Sequence, residues 1–213
     1  MPELGVYTGN VHRGMHAEYC DRPYALDVDF KEEDRIKVLA IGSSYVRDWV
    51  NVLLESDLSD MLDISYIYGT DLSEKHIGRI SEADFIFINA DRLLGDDDNL
   101  SYLLENKKDT TKLWGIGIKS FGDSNGNIYN RRFRADYYEM TGTYSNVYEE
   151  YKRESENIEY YIDFIAPVLE PNGEVRIFTD TNMYISQDCR HLTEAGAKYY
   201  AKILDLEGIF GLK

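Results

Sequence analysis

Ile36-Lys37-Val38-Leu39-Ala40-Ile41 runs directly into Gly42-Ser43-Ser44-Tyr45. The first six residues are apolar enough for a strand buried on both faces, as parallel strands usually are. Val46, Val50, Leu53 and Leu54 then recur at helical spacing. A strand that ends at a glycine and turns into a helix is the repeating unit of an α/β domain. The rest of the chain continues the alternation. Further strands are predicted at 64–68, 85–88, 113–118 and 175–178. Helices are predicted around Leu100, Leu103 and Leu104, around Ile158, Tyr161, Ile162 and Ile165 with a stop near Pro167, and over 195–206. The pattern predicts one three-layer α/β domain over 31–213, with a central, mostly parallel five-stranded sheet and helices on both faces. Residues 1–30 carry few periodic apolar positions and read as an irregular arm packed on the domain.

Composition narrows the partners. The 213 residues include 23 Lys and Arg against 39 Asp and Glu, a formal net charge of −16, while hydrophobic residues make up 43%. Such a surface repels phosphate backbones and anionic lipid heads, so no nucleic-acid partner is expected. A neutral ligand such as a glycan remains compatible. Cys20 and Cys189 are too few for a disulfide scaffold or a thiolate metal site; two free thiols are the simpler reading, with a single bridge left open. His12 and His16 have a metal-like spacing only on a helix, and Gly14 lies between them, so no metal and no cofactor is expected. No stretch has the ~20 apolar residues of a membrane span. The polar first 24 residues do not read as a secretory signal, and the chain is expected to be soluble.

In open α/β sheets ligands bind beyond the carboxyl ends of the strands. Two segments there carry chemistry. Ser44 stands at the mouth of the helix after the first strand, where free N–H groups and partial positive charge favour an alkoxide and then an oxyanion. A serine there also serves as an ordinary N-cap. Asp188-Cys189-Arg190-His191-Leu192-Thr193 precedes the last helix. An Asp three residues before a His can hold the ring through an N–H bond, fixing the tautomer as a triad requires. Thr193 is a natural N-cap for the helix that follows. Each segment alone admits a purely structural role. Together they bring a serine from one end of the sheet and an Asp–His pair from the other to the same edge.

These blocks resemble those of the SGNH (GDSL-like) hydrolases. Gly42-Ser43-Ser44 is similar to the family's Gly-Asp-Ser, with Ser43 in place of its Asp, and Asp188-Cys189-Arg190-His191 matches its Asp-x-x-His. Gly117-Ile118-Lys119-Ser120-Phe121-Gly122 with Asn125 is similar to a segment of SGNH domains fused to membrane O-acyltransferases, and Pro2-Glu3-Leu4 and Thr8 to His16 are similar to the stretch that leads into those domains. The resemblance implies a flavodoxin-like SGNH fold and a triad of Ser44, Asp188 and His191. It further implies transfer or hydrolysis of an O-acyl, chiefly acetyl, ester on a carbohydrate of the cell envelope, outside the cytoplasm. A membrane acyltransferase domain is the implied partner. For the oxyanion it implies the backbone N–H groups of Ser44 and Gly69 with an asparagine. Asn89 after the third strand has the right chemistry, though Ile88-Asn89-Ala90-Asp91 lacks the family's glycine. Asn125 or Asn127 is the alternative donor.

Gly122-Asp123-Ser124 is a second, literal Gly-Asp-Ser, but Asn125-Gly126-Asn127 after it reads as a turn rather than a helix start. This loop is expected at the rim of the site, with Lys119, Asn125 and Asn127 as candidate substrate contacts against the plainer reading of solvated loop groups. The altered third block also leaves a second function open, a non-catalytic glycan-binding or accessory module on the same fold.

Overall fold

The computed structural model describes residues 3, 15–69, 71–95, 98–143 and 148–213. The described chain enters through helix α1 (Met15–Asp21) and a 3₁₀ turn at Arg22–Leu26. Strand β1 (Ile36–Gly42) leads into helix α2 (Ser44–Leu54), followed by β2 (Leu62–Tyr68), α3 (Ile77–Glu82) and β3 (Phe85–Asn89). Then come α4 (Ala90–Leu93), α5 (Asp98–Asn106), β4 (Lys112–Ile116), α6 (Asn125–Tyr129), β5 (Thr141–Gly142) and α7 (Tyr148–Asn157). Strands β6 (Tyr161–Ile162) and β7 (Val175–Arg176) precede the closing helices α8 (Glu194–Ile203) and α9 (Leu206–Phe210).

Five strands form one all-parallel sheet in the order β2-β1-β3-β4-β6. Alternate side chains of β1 serve opposite faces, as the two-residue period of a strand dictates. Val38 and Ala40 join a core with Trp49 and Leu53 of α2, Ala197 and Tyr200 of α8 and Phe210 of α9. Leu39 and Ile41 join Ile80 of α3 and Leu103 of α5 on the other side. The result is the expected three-layer α/β fold. Its order, counted along the main sheet as 2-1-3-4-5, is the flavodoxin-like one, in which the chain reverses direction between β1 and β3 and leaves a crevice at their carboxyl ends. Gly42 and Asn89 stand at those ends.

Four expectations are corrected. The fifth strand of the sheet is β6, not the 175–178 run. Ile158, Tyr161, Ile162 and Ile165 have helical spacing, but Tyr161–Ile162 is drawn onto the sheet edge, where Gly117 donates to the Ile162 carbonyl at 3.0 Å. Asp163 then ends the strand by accepting the N–H groups of Ile165 and Ala166 at 2.8 and 2.9 Å. Strand β7 pairs antiparallel with β5 in a separate two-stranded sheet. The arm is not irregular over 15–26: α1 packs on α2 and α8, Asn51 donates to the Cys20 carbonyl, and Arg22 pairs with Glu55 at 2.8 Å. The segment from 4 to 14, His12 included, lies outside the described residues, as does the His16 side chain. The closing 195–206 helix is two helices, parted where Asp205 caps α9 through the Gly208 N–H.

Candidate active site

Ser44 is the first residue of α2, and its half-buried side chain stands where the helix offers unpaired N–H groups. His191 reaches it from 147 residues away in the chain: Nε2 lies 2.8 Å from Ser44 Oγ. The other ring nitrogen, Nδ1, lies 2.7 Å from Asp188 Oδ2. With Nδ1–H donating to the carboxylate, Nε2 is left as the acceptor for the serine hydroxyl.

The Asp188–His191 turn is held from several sides. Asp188 Oδ1 accepts the N–H groups of Arg190 and His191 at 3.1 and 2.9 Å. Cys189 between them adopts a left-handed φ of 79°, a strained conformation for a residue with a Cβ. The His191 carbonyl accepts from the Ser186 hydroxyl and the Gln187 N–H, both at 2.8 Å. Burial works against the Asp188 carboxylate, but the bonds from the His191 ring and the two backbone groups prevail and hold its pKa far below the ordinary range. It therefore stays an anion beside the imidazole. Thr193 caps α8 as expected, accepting from Gly196 N at 2.9 Å. The two cysteines are not bridged to each other; Cys20 is buried and Cys189 half-buried.

The oxyanion candidates separate. Asn89 turns toward the serine block rather than into the sheet: Ser43 N–H donates to Asn89 Oδ1 at 3.2 Å, and Asn89 Nδ2 donates to Ser43 Oγ at 3.2 Å. This approach requires Gly42, since a Cβ there would fall 2.3 Å from Asn89 Oδ1. The Gly69 assignment is corrected: its N–H already donates to the Gly42 carbonyl at 3.0 Å, extending the β1–β2 ladder. Two of the three rim residues are corrected as well, Lys119 and Asn125. The Lys119 side chain is wholly buried in an ion pair with Asp48. Asn125 is buried and donates to the Ser186 carbonyl at 2.5 Å, and Asn127 donates to Asp123 at 2.9 Å. Lys119 and Asn125 thus tie loops together from the interior, whereas the Asn127 side chain is exposed. Ser124 does precede a helix, α6, contrary to the turn reading of Asn-Gly-Asn, but that helix has five residues and, among the described residues, no histidine is bonded to the serine.

Sequence reading missed Asp48 and Glu154. Asp48, four residues after Ser44 and buried, binds Lys119 and accepts Leu192 N–H at 2.8 Å. Glu154 is the one buried residue of α7, a helix otherwise made of exposed or half-buried groups. The available signals were a carboxylate at i+4 from Ser44, and a Glu150–Glu154 pair on one helical face. Among the described residues, no three His, Cys, Asp or Glu side chains gather as a metal site, and no helix is long and apolar enough to cross a membrane.

No protein-family model matches this chain, and no curated protein matches it. Two solved structures are weakly similar. One is a DUF4886 family protein from Bacteroides uniformis, at 16% identity over 79% of this chain and 80% of the other, with a TM-score of 0.43. The other is a possible lipase from Chitinophaga pinensis, at 15% identity over 83% of this chain and 99% of the other, with a TM-score of 0.41. Likeness at this level carries no argument about chemistry, which stands on the geometry.

Proposed function

We propose that this chain is a serine-dependent enzyme of acyl esters, of the SGNH type, with Ser44 as nucleophile, His191 as general base and acid, and Asp188 as the group that orients His191. The observation that carries the reading is the continuous chain from Ser44 Oγ to His191 Nε2 at 2.8 Å and from His191 Nδ1 to Asp188 Oδ2 at 2.7 Å. Ser44 Oγ attacks the acyl carbon while its proton passes to Nε2. The tetrahedral oxyanion is met by the Ser44 N–H at the start of α2 and by the Asn89 amide, which keeps a second N–H beyond the one given to Ser43. Collapse expels the alcohol, which takes the proton from Nε2, and leaves the acyl group on Ser44. A second alcohol or water, deprotonated by His191, then accepts the acyl group.

The finer reading follows from the resemblance of Gly117 to Gly122 with Asn125, and of Pro2 to Leu4 and Thr8 to His16, to SGNH domains fused to membrane O-acyltransferases: the acyl group is acetyl, the alcohol belongs to a carbohydrate of the cell envelope, and a membrane acyltransferase domain is the partner. The test of the core claim is turnover of 4-nitrophenyl acetate. Ser44→Ala and His191→Ala should each remove several orders of magnitude, and the double variant should be little worse, because the pair acts as one unit. Additive losses, or turnover retained in Ser44→Ala, would refute it.

A further inference from the structure

We propose that the cleft beside Ser44 binds an ammonium-bearing group of the ester, and that Glu154 selects for it, making the substrate an acylated amino alcohol, amino sugars included. The substrate part of this rests on the ester chemistry proposed above.

The cleft encloses about 740 Å³. Its described lining includes Ser43 and Tyr45, the two neighbours of Ser44, Asn89 opposite them, and Cys189 and Arg190 from the turn that carries His191, so the cleft opens beside the nucleophile rather than around it. Four carboxylates also line it: Asp91, Asp123, Glu150 and Glu154. Against them stand Arg190 and Lys119, and Lys119 is spent on Asp48.

Glu154 distinguishes this wall from a solvated acidic surface. Only 1% of the residue is exposed, so α7 sets a carboxyl where an amphipathic helix sets an apolar side chain. Burying a carboxylate is costly unless it is paired. Yet among the described residues no cation pairs with it: Oε2 accepts the Ile118 N–H at 3.2 Å and the Tyr161 hydroxyl at 3.3 Å, and Oε1 has no partner there. The surroundings hold it in place. A Cβ at Gly117 would lie 2.0 Å from the Tyr161 hydroxyl, so the glycine is what lets that hydroxyl come close to β4 and reach Glu154. The groups facing the carboxyl, Glu150 on its own helix, Asp91 on α4 and Tyr161 on β6, are anionic or neutral. A fixed, half-satisfied carboxyl in a low-dielectric wall attracts a cation far more strongly than one in water, and the same wall repels anionic esters.

Two paired probes test this. Acetylcholine and 3,3-dimethylbutyl acetate share a shape and differ in charge. At about pH 8, above the value of about 7 to which burial pushes Glu154, the wild-type kcat/KM ratio should favour acetylcholine by about tenfold or more. Glu154→Gln, which keeps both acceptor bonds, should bring the ratio to near unity. Glu105→Gln, exposed on the far side of the sheet, should leave it high and so discount the overall charge. Choline and 3,3-dimethylbutan-1-ol, titrated by NMR into the Ser44→Ala protein, test the cleft without turnover. Choline binding no tighter than the neutral alcohol, or a preference unchanged in Glu154→Gln, would overturn the assignment. A Glu154-dependent choline preference in a wild type that turns over neither ester would support the cation site and sink the ester reading instead.

Discussion

Asp48 lies one helical turn beyond Ser44 and accepts the N–H of Leu192, the residue after His191, at 2.8 Å. One buried carboxylate thus ties the helix that carries the nucleophile to the loop that carries the base. Its charge is answered by Lys119 from the segment after β4, whose ammonium also lies 4.8 Å from the ring centre of Tyr45. Three chain segments meet under the triad through this pair, which fixes the Ser44–His191 separation from below.

Breaking that pair from one side should cost more than removing it. Lys119→Met leaves the buried carboxylate with Arg47 alone, 3.6 Å away, and should destabilise the fold by up to about 3–5 kcal/mol. Adding Asp48→Asn removes the charge but keeps an acceptor for Leu192 N–H, and should recover more than half of the loss. Chemical denaturation of both single variants and the double variant reads the coupling. Additive losses would show that the pair does not act as a unit.

Glu154 makes stability depend on pH in a predictable direction. Its carboxyl is raised from 4.5 to about 7, chiefly by burial. The folded protein therefore keeps a proton that the unfolded chain has already released between those values, and stability falls as pH rises through that window. Glu154→Gln should flatten this slope, closing a difference on the order of 2–3 kcal/mol between pH 4.5 and 7.5. Parallel slopes in wild type and variant would contradict the assignment.

The oxyanion donors make opposite predictions. Asn89→Ala should lower kcat by about 10²–10³-fold with a smaller effect on KM, the signature of a donor used in the transition state. Gly69 has a φ of 86°, and its N–H is committed to Gly42. Gly69→Ala should therefore lower the melting temperature through backbone strain while the activity of the folded fraction persists. A kcat collapse in folded Gly69→Ala would restore it to the oxyanion hole.

Much of this was legible in the sequence where local pattern and global position agree. The apolar run into Gly42 and Ser44 sets the first βα unit, and Asp188 with His191 carries its own local bonding. What was lost follows from contacts between distant segments. Ile158 to Ile165 has a helical period, yet a two-residue pairing with Gly115 and Ile116 makes its centre a strand. Gly69 is a strand-ending glycine in any reading; only the Gly42 carbonyl opposite shows that its N–H is taken. Lys119 reads as a loop cation until Asp48, 71 residues away, is seen to bury it. Asn125-Gly126-Asn127 has turn composition, and a single short helix uses the same residues after Ser124.

The central claim is that Ser44, and not the serine of the literal Gly-Asp-Ser, is the nucleophile. Ser44 has an imidazole nitrogen at 2.8 Å, while Ser124 is exposed with its N–H bonded to Asp123 at 2.7 Å. The most direct measurement is peptide mapping after reaction with a fluorophosphonate probe. Label should appear on Ser44, vanish in Ser44→Ala and in His191→Ala, and persist in Ser124→Ala. Label on Ser124, or none on a wild type proven folded, would contradict the account.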